Sequence, residues 1–241
     1  MSDTVLLDIA DGVAVVTLNR PDRLNALNGE IMDALTGMVS SVVENPDVGV
    51  IVLTGAGRGF CAGGDTKDGG QRRANGIAPP PELTRGLNLR RNAETSRLLR
   101  EAPKVTIAMV NGPVAGAGIG LAGACDLRFA AESATFLSAY DKIGGAGDYG
   151  ATYVWARILG AAKAFGLYHR VYPDAELRER TLEAARKLAA GPRSGWAYMK
   201  QNLNAAEDES FTRHLDRESA NMGLATQAYF SALKAQRAAA G

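Results

Sequence analysis

Twice in this chain a run of β-branched and aliphatic residues leads straight into a glycine-rich turn. VGVIVLTG (48–55) enters GAGRGFCAGGD (55–65), and VTIAMV (105–110) enters NGPVAGAGIGLAGACD (111–126). Apolar runs of this length are strands covered on both faces, and such strands joined by helical crossovers build a parallel α/β layer. The two strand–turn–helix passages, 48–101 and 105–124, therefore read as successive turns of one α/β winding.

The flanking segments fit that scheme. VLLDI (5–9) and VAVVTL (13–18) surround Asp11-Gly12, a two-residue hairpin signal. From Asn28, a good N-cap, Ile31, Leu35, Met38, Val39 and Val42 recur at helical spacing. Residues 55–82 read as a long glycine-, proline- and arginine-rich loop, and 83–101 as a helix. Strands are expected at 126–131 and 134–137 and a helix near 150–160, with helices alone from Asp174 onward. The amphipathic tail is expected to dock on another surface, its own chain's or a neighbouring subunit's.

Composition narrows the function classes. The 241 residues are 46% hydrophobic and 22% charged, the balance of a soluble globular core. A net charge of +1 gives no general pull toward nucleic acid or anionic membrane. Cys61 and Cys125 form no C-x-x-C pair, and His169 and His214 are far apart, so no metal site is expected. The start, MSDTVLLDIADG, lacks the basic-then-apolar pattern of a signal peptide. No apolar run approaches the ~20 residues of a membrane span. A cytoplasmic protein is expected.

Gly118, Gly120 and Gly123 satisfy G-x-G-x-x-G, but the context is wrong for a dinucleotide. That fingerprint follows its strand immediately and has a carboxylate about 20 residues on; here the strand ends at Val110 and Asp126 comes too soon. Two readings remain. The small residues either permit close helix packing, or they free backbone amides at a helix N-terminus to stabilise a ligand oxygen. The second reading needs a partner loop, and the turn at 55–65 supplies one.

FCAGGD (60–65) and VNGPVAGAGIGLAGACD (110–126) resemble the two signatures of the crotonase, or enoyl-CoA hydratase/isomerase, superfamily, and LNRPDRLNAL (18–27) is similar to its first loop. The resemblance covers essentially the whole chain. It implies an α/β fold, a crotonase-like spiral of ββα turns over residues 1–164 with the acyl-CoA site, and a C-terminal helical region, 165–241, for packing and oligomerisation as a homotrimer or dimer of trimers. The ligand implied is an acyl-CoA thioester, coenzyme A entering as part of the substrate and no other cofactor or metal being needed. The thioester oxygen would sit between the amides of Gly64 and Ala117, flanked by Gly63, Asp65 and Gly116. The backbone at Ala62 would receive the adenine end, and Arg23 would line the coenzyme.

The same resemblance bears on the reaction. Hydratases of this pattern carry two glutamates, at positions matching Gly120 and Tyr140 here, and neither is present. Enoyl-CoA isomerases of the superfamily resemble this chain through K-[IL]-G-x-x-x-D-x-G, matched by Lys142, Ile143, Gly144, Asp148 and Gly150, with that aspartate as the single acid/base. Asp148 is accordingly the candidate catalytic residue, its carboxyl raised by burial, with Tyr140 lining the acyl pocket. Capping the 150–160 helix is an alternative or second role. A non-standard hydratase, an acyl-CoA hydrolase, a dehalogenase using Asp148 and a non-catalytic acyl-CoA-binding protein stay open. The dehalogenase pattern has a histidine before 104 and a tryptophan near 140; this chain has neither. Between Ala164 and Phe165 the family pattern holds one more helix and turn than this chain.

Overall fold

The computed structural model describes residues 3–76, 78, 81–159, 192–206 and 208–240. Strands β1 (Val5–Ala10), β2 (Val13–Leu18), β3 (Val50–Gly55), β4 (Val105–Val110) and β6 (Leu127–Ala130) form one sheet in the order β1-β2-β3-β4-β6. Only β1 is antiparallel, paired Val5 to Leu18 and Ala10 to Val13, while β2, β3, β4 and β6 are parallel. Asp11 (φ +51°) and Gly12 (φ +75°) are both left-handed, as a type I′ hairpin turn demands. A second, two-stranded sheet pairs β5 (Val114–Ala115) with β7 (Phe136–Leu137).

The strands alternate, and that decides where the core lies. Ala14, Val16, Leu18, Ile51, Leu53, Ala108 and Val110 are fully buried on one face. Helix α1 (Gly29–Glu44) covers them with Ile31, Leu35, Val39 and Val42, and its first turn is capped by the Asn28 side chain, which accepts from the Ile31 amide at 3.1 Å. Helices α4 (Glu94–Glu101) and α5 (Ala117–Ala124) complete that layer. The opposite face is also apolar but open. Val105, Met109, Leu127 and Phe129 are between 44 and 62% exposed there. The expectation of a strand buried on both sides at 105–110 thus holds for one side only.

Two other expectations need correction. Residues 55–82 are not all loop: α2 (Thr66–Ala74) lies inside them, its first turn capped by Asp65, whose Oδ1 accepts from the Asp68 amide at 3.1 Å. The helix expected over 83–101 is two, α3 (Glu82–Asn92) and α4, which meet at Ala93. Helix α6 (Ala151–Leu159) follows the second sheet, and α7 (Arg193–Ala205) and α8 (Phe211–Ala240) come after it. Helix α8 packs on α3 and α7, and α7 on α6. The junction between Ala164 and Phe165, the boundary at 164, His169 and the run from Asp174 to Gly191 lie outside the described residues.

Candidate active site

The two glycine turns meet backbone to backbone. The Ala115 amide donates to the Cys61 carbonyl at 2.9 Å, and the Phe60 amide to the Pro113 carbonyl at 3.1 Å. Gly63, at φ +84°, lies so close to the second turn that a Cβ there would come within 2.8 Å of the Ala115 oxygen and 3.4 Å of the Ala117 nitrogen. Beside it the chain leaves donors unused. The Leu27 amide donates to Gly63 and the Asp65 amide to Leu27, so the ladder skips Gly64. Ala117 opens α5, where first-turn amides have no helical acceptor. Among the described residues neither the Gly64 nor the Ala117 amide has a backbone acceptor. A Cβ at Gly64 would meet nothing within 4 Å, so the chain is open on that side of the residue.

The three glycines of the G-x-G-x-x-G spacing are packing positions. A Cβ at Gly118 would stand 2.5 Å from the Cys61 oxygen, at Gly120 2.6 Å from the Tyr149 Cβ, and at Gly123 2.3 Å from a Val154 methyl. Of the two readings of this segment, close helix packing accounts for the glycines. The amide reading rests on Ala117 alone.

Arg23, Ala62 and Asp65 form a second group. The Ala62 amide donates to the Leu24 carbonyl at 2.9 Å, bringing the turn of Arg23 against it. Arg20 and Arg23 both reach Asp65, at 3.0 and 2.9 Å. Burial works to raise the Asp65 carboxyl, but the Asp68 amide and the Arg23 and Arg20 guanidinia outweigh it and hold it at about 2. Asp65 is thus a permanent anion that orients the two arginines. Arg23 keeps 38% of its side chain exposed.

Asp148 lies between the turn at 140–143 and α6. The Tyr140 hydroxyl, itself buried, donates to Oδ1 at 2.8 Å. Burial pushes the Asp148 carboxyl up, the Tyr140 hydrogen bond opposes that, and the nearby Glu218 charge adds to it, leaving the group at about 7. Burial, then the Asp148 and Glu218 charges, push the Tyr140 phenol well above its ordinary value. The Cys61 thiol is pushed up to about 12 by burial, with a further push from Asp148. Burial likewise takes Cys125 to about 12. Neither cysteine is a thiolate near neutral pH. Asp148 therefore stands near Cys61, the first glycine turn and, through Tyr149 and Gly120, α5.

Capping of α6 does not fall to Asp148. Glu218, from the buried face of α8, accepts from the Gly150 amide at 2.7 Å, the Thr152 amide at 2.9 Å and the Thr152 hydroxyl. His214 is wholly buried where α8 meets α6, with Nε2 at 2.9 Å from Thr152 Oγ1. Sequence reasoning missed both Glu218 and Tyr149. The signal for Glu218 was present: Phe211, His214, Leu215, Glu218, Met222 and Ala225 form one helical stripe, and a carboxylate interrupts it. Tyr149 gave none, because a left-handed tyrosine (φ +52°) is unfavourable by itself and only packing shows it.

A family model described as Enoyl-CoA hydratase/isomerase matches residues 8–165. The chain is 35% identical over 235 residues to a 1,2-epoxyphenylacetyl-CoA isomerase of Escherichia coli K12, covering 90% of this chain and 88% of that one. It is 34% identical over 224 residues to a probable enoyl-CoA hydratase of Rhodobacter capsulatus, covering 84% and 81%. A crystal structure of an enoyl-CoA hydratase from Mycobacterium avium subsp. paratuberculosis superposes with a TM-score of 0.63 at 30% identity, over 93% of this chain and 94% of that one.

Proposed function

This chain belongs to the enoyl-CoA hydratase/isomerase family, and on that premise we propose that it shifts the double bond of an enoyl-CoA by proton transfer through Asp148. The observation that carries this reading is the Asp148 carboxyl, at about 7, with Tyr140 as its hydrogen-bond donor. A general base works best when its proton affinity matches the working pH, and an ordinary aspartate is too weak. With the thioester oxygen between the Gly64 and Ala117 amides, the α-carbon becomes acidic, because negative charge can move onto that oxygen. In a β,γ-enoyl-CoA, Asp148 takes the α-proton, the two amides hold the dienolate, and the same carboxylic acid returns the proton to the γ-carbon. No atom is gained or lost and nothing is oxidised, so coenzyme A, carried by the substrate, is the one cofactor the reaction calls for.

Isomerisation is favoured over hydration by what stands at the two glutamate positions. Tyr140 occupies one, its hydroxyl already given to Asp148. At the other, Gly120 faces Tyr149 so closely that a side chain has no room, with 2.7 Å from a Cβ to the Tyr149 oxygen. Arg23, beside Ala62, suits a coenzyme A phosphate, being partly exposed and oriented by Asp65. The apolar outer face of β4 and β6 fits burial against further copies of the chain, as in a homotrimer, since parallel sheets are ordinarily covered on both faces. No helix among the described residues is long and apolar enough to cross a membrane.

The test is to incubate wild type and Asp148→Asn with β,γ- and α,β-enoyl-CoA and follow double-bond position and water addition. Conjugation by wild type, reduced about 10²- to 10⁴-fold in the variant, is expected. Hydration by both proteins at equal rates would remove Asp148 from the mechanism.

A further inference from the structure

We propose that Glu218, on α8, is a positioning residue for Asp148: its carboxylate clamps the 147–152 turn and sets a fixed negative charge behind the acid/base. The inference rests on Asp148 being the acid/base. Glu218 does not touch the substrate in this reading and acts through the turn and through its field.

The geometry of the turn is the reason it needs a clamp. Three residues around Asp148 are left-handed, Gly147 at φ +112°, Tyr149 at φ +52° and Gly150 at φ +75°. Tyr149 holds that conformation against its own side chain, so the surroundings must impose it. Its hydroxyl, buried, has no partner among the described residues and so does not hold the turn. Glu218 does. It takes the amides of Gly150 and Thr152 and the Thr152 hydroxyl, and its Oε1 lies so close to Gly147 that a Cβ there would stand 3.1 Å away. Three donors converge on one group that donates nothing back, which is the arrangement of a carboxylate anion.

The charged and titratable groups facing this centre come from several elements. Cys61 approaches Asp148 from the first glycine turn and Tyr140 from the 140–143 turn. Tyr149 is its chain neighbour, and α8 brings Glu218 and His214, with Glu209 just before that helix. His214 is the one residue of this set that could offset Glu218, with Nε2 at 3.7 Å from Oε1. Thr152 gives its single hydroxyl proton to Glu218, so His214 Nε2–H donates to Thr152. His214 Nδ1 lies 3.6 Å from Glu209 and makes no hydrogen bond among the described residues. The Glu218 charge adds to the rise in the Asp148 carboxyl that burial begins. Raising the proton affinity of a base strengthens it for abstraction at neutral pH.

The test compares Glu218→Gln and Glu218→Asp with wild type in the pH dependence of kcat/KM for enoyl-CoA isomerisation. Glu218→Gln removes the charge and keeps the shape; Glu218→Asp draws the charge back by one methylene. Both are expected to move the midpoint of the acid limb down, the glutamine further, and to lower the plateau about ten- to a hundredfold as the turn loosens. A role confined to holding α8 would change the rate or the melting temperature but leave the midpoint alone. A wild-type midpoint in whichever variant folds therefore overturns the proposal. If Asp148→Asn keeps full isomerase activity, it is the assignment of Asp148 that fails. If Asp148→Asn is inactive and the Glu218 variants titrate like wild type, this inference alone fails.

Discussion

Around Gly64 and Ala117 the candidate site offers main-chain amides and almost no side chain, whereas around Asp148 it is side chain throughout: Tyr140, Glu218, Thr152 and His214. The first half comes from two turns of the core that approach closely because glycines remove the Cβ atoms between them. The second half is closed by α8, about seventy residues further along the chain. The two halves differ in how they can be broken. A main-chain donor survives most substitutions and yields only to loss of the N–H or to a clash. A carboxylate whose affinity is set by its surroundings responds to one charge placed or removed nearby.

The largest effect on the main-chain half is expected from Ala117→Pro. Proline is tolerated at the first position of a helix, where its missing N–H breaks no helical bond. A variant with wild-type circular dichroism whose kcat falls about 10²- to 10³-fold is expected, as for loss of one oxyanion donor. An unchanged kcat would mean that this half does not carry the developing charge.

Asp148→Asn probes the side-chain half through stability. The folded protein holds the Asp148 proton up to about 7, while an unfolded aspartic acid releases it near 3.8. Between those values the folded state binds the extra proton, so wild-type stability falls as pH rises through that window. The Asn variant, having no such proton, should gain about 2–4 kcal/mol on wild type between pH 4 and pH 8, measured by urea unfolding at each pH. A pH-independent difference would show that Asp148 is not desolvated.

Arg23→Ala lies at the edge of the main-chain half, beside Asp65, and should do least. Asp65 keeps Arg20, and a half-exposed pair contributes about 0–1 kcal/mol. The expected signature is a raised KM for the coenzyme A thioester with kcat unchanged, as for uniform binding energy. A fall in kcat at constant KM would place Arg23 in the chemistry instead.

Much of the architecture was legible because it depends on near neighbours. Asp11-Gly12 alone specifies a left-handed two-residue turn, and Asn28 can reach the Ile31 amide from its own backbone. Helix α2 was hidden by its glycines and arginines, although Asp65 and Asp68 stood at capping distance. The division at Ala93 left no mark, since alanine suits either a continuous helix or a break. At the site, Asp148 was found through its motif, but the motif also left it the role of a cap. That role went to Glu218, which competes for the same amides from a distant helix.

Periodicity, turn chemistry and motif order were enough to specify the strands, the first hairpin, the capped helix, the family and the residue to watch, because each is written in residues a few positions apart. The state of that residue was not. The proton affinity of Asp148, the lack of room at Gly120 and the clamp from Glu218 depend on which groups lie within a few ångströms once the chain has folded. Desolvation and charge–charge interaction act through space, so they follow from tertiary packing and from no local pattern.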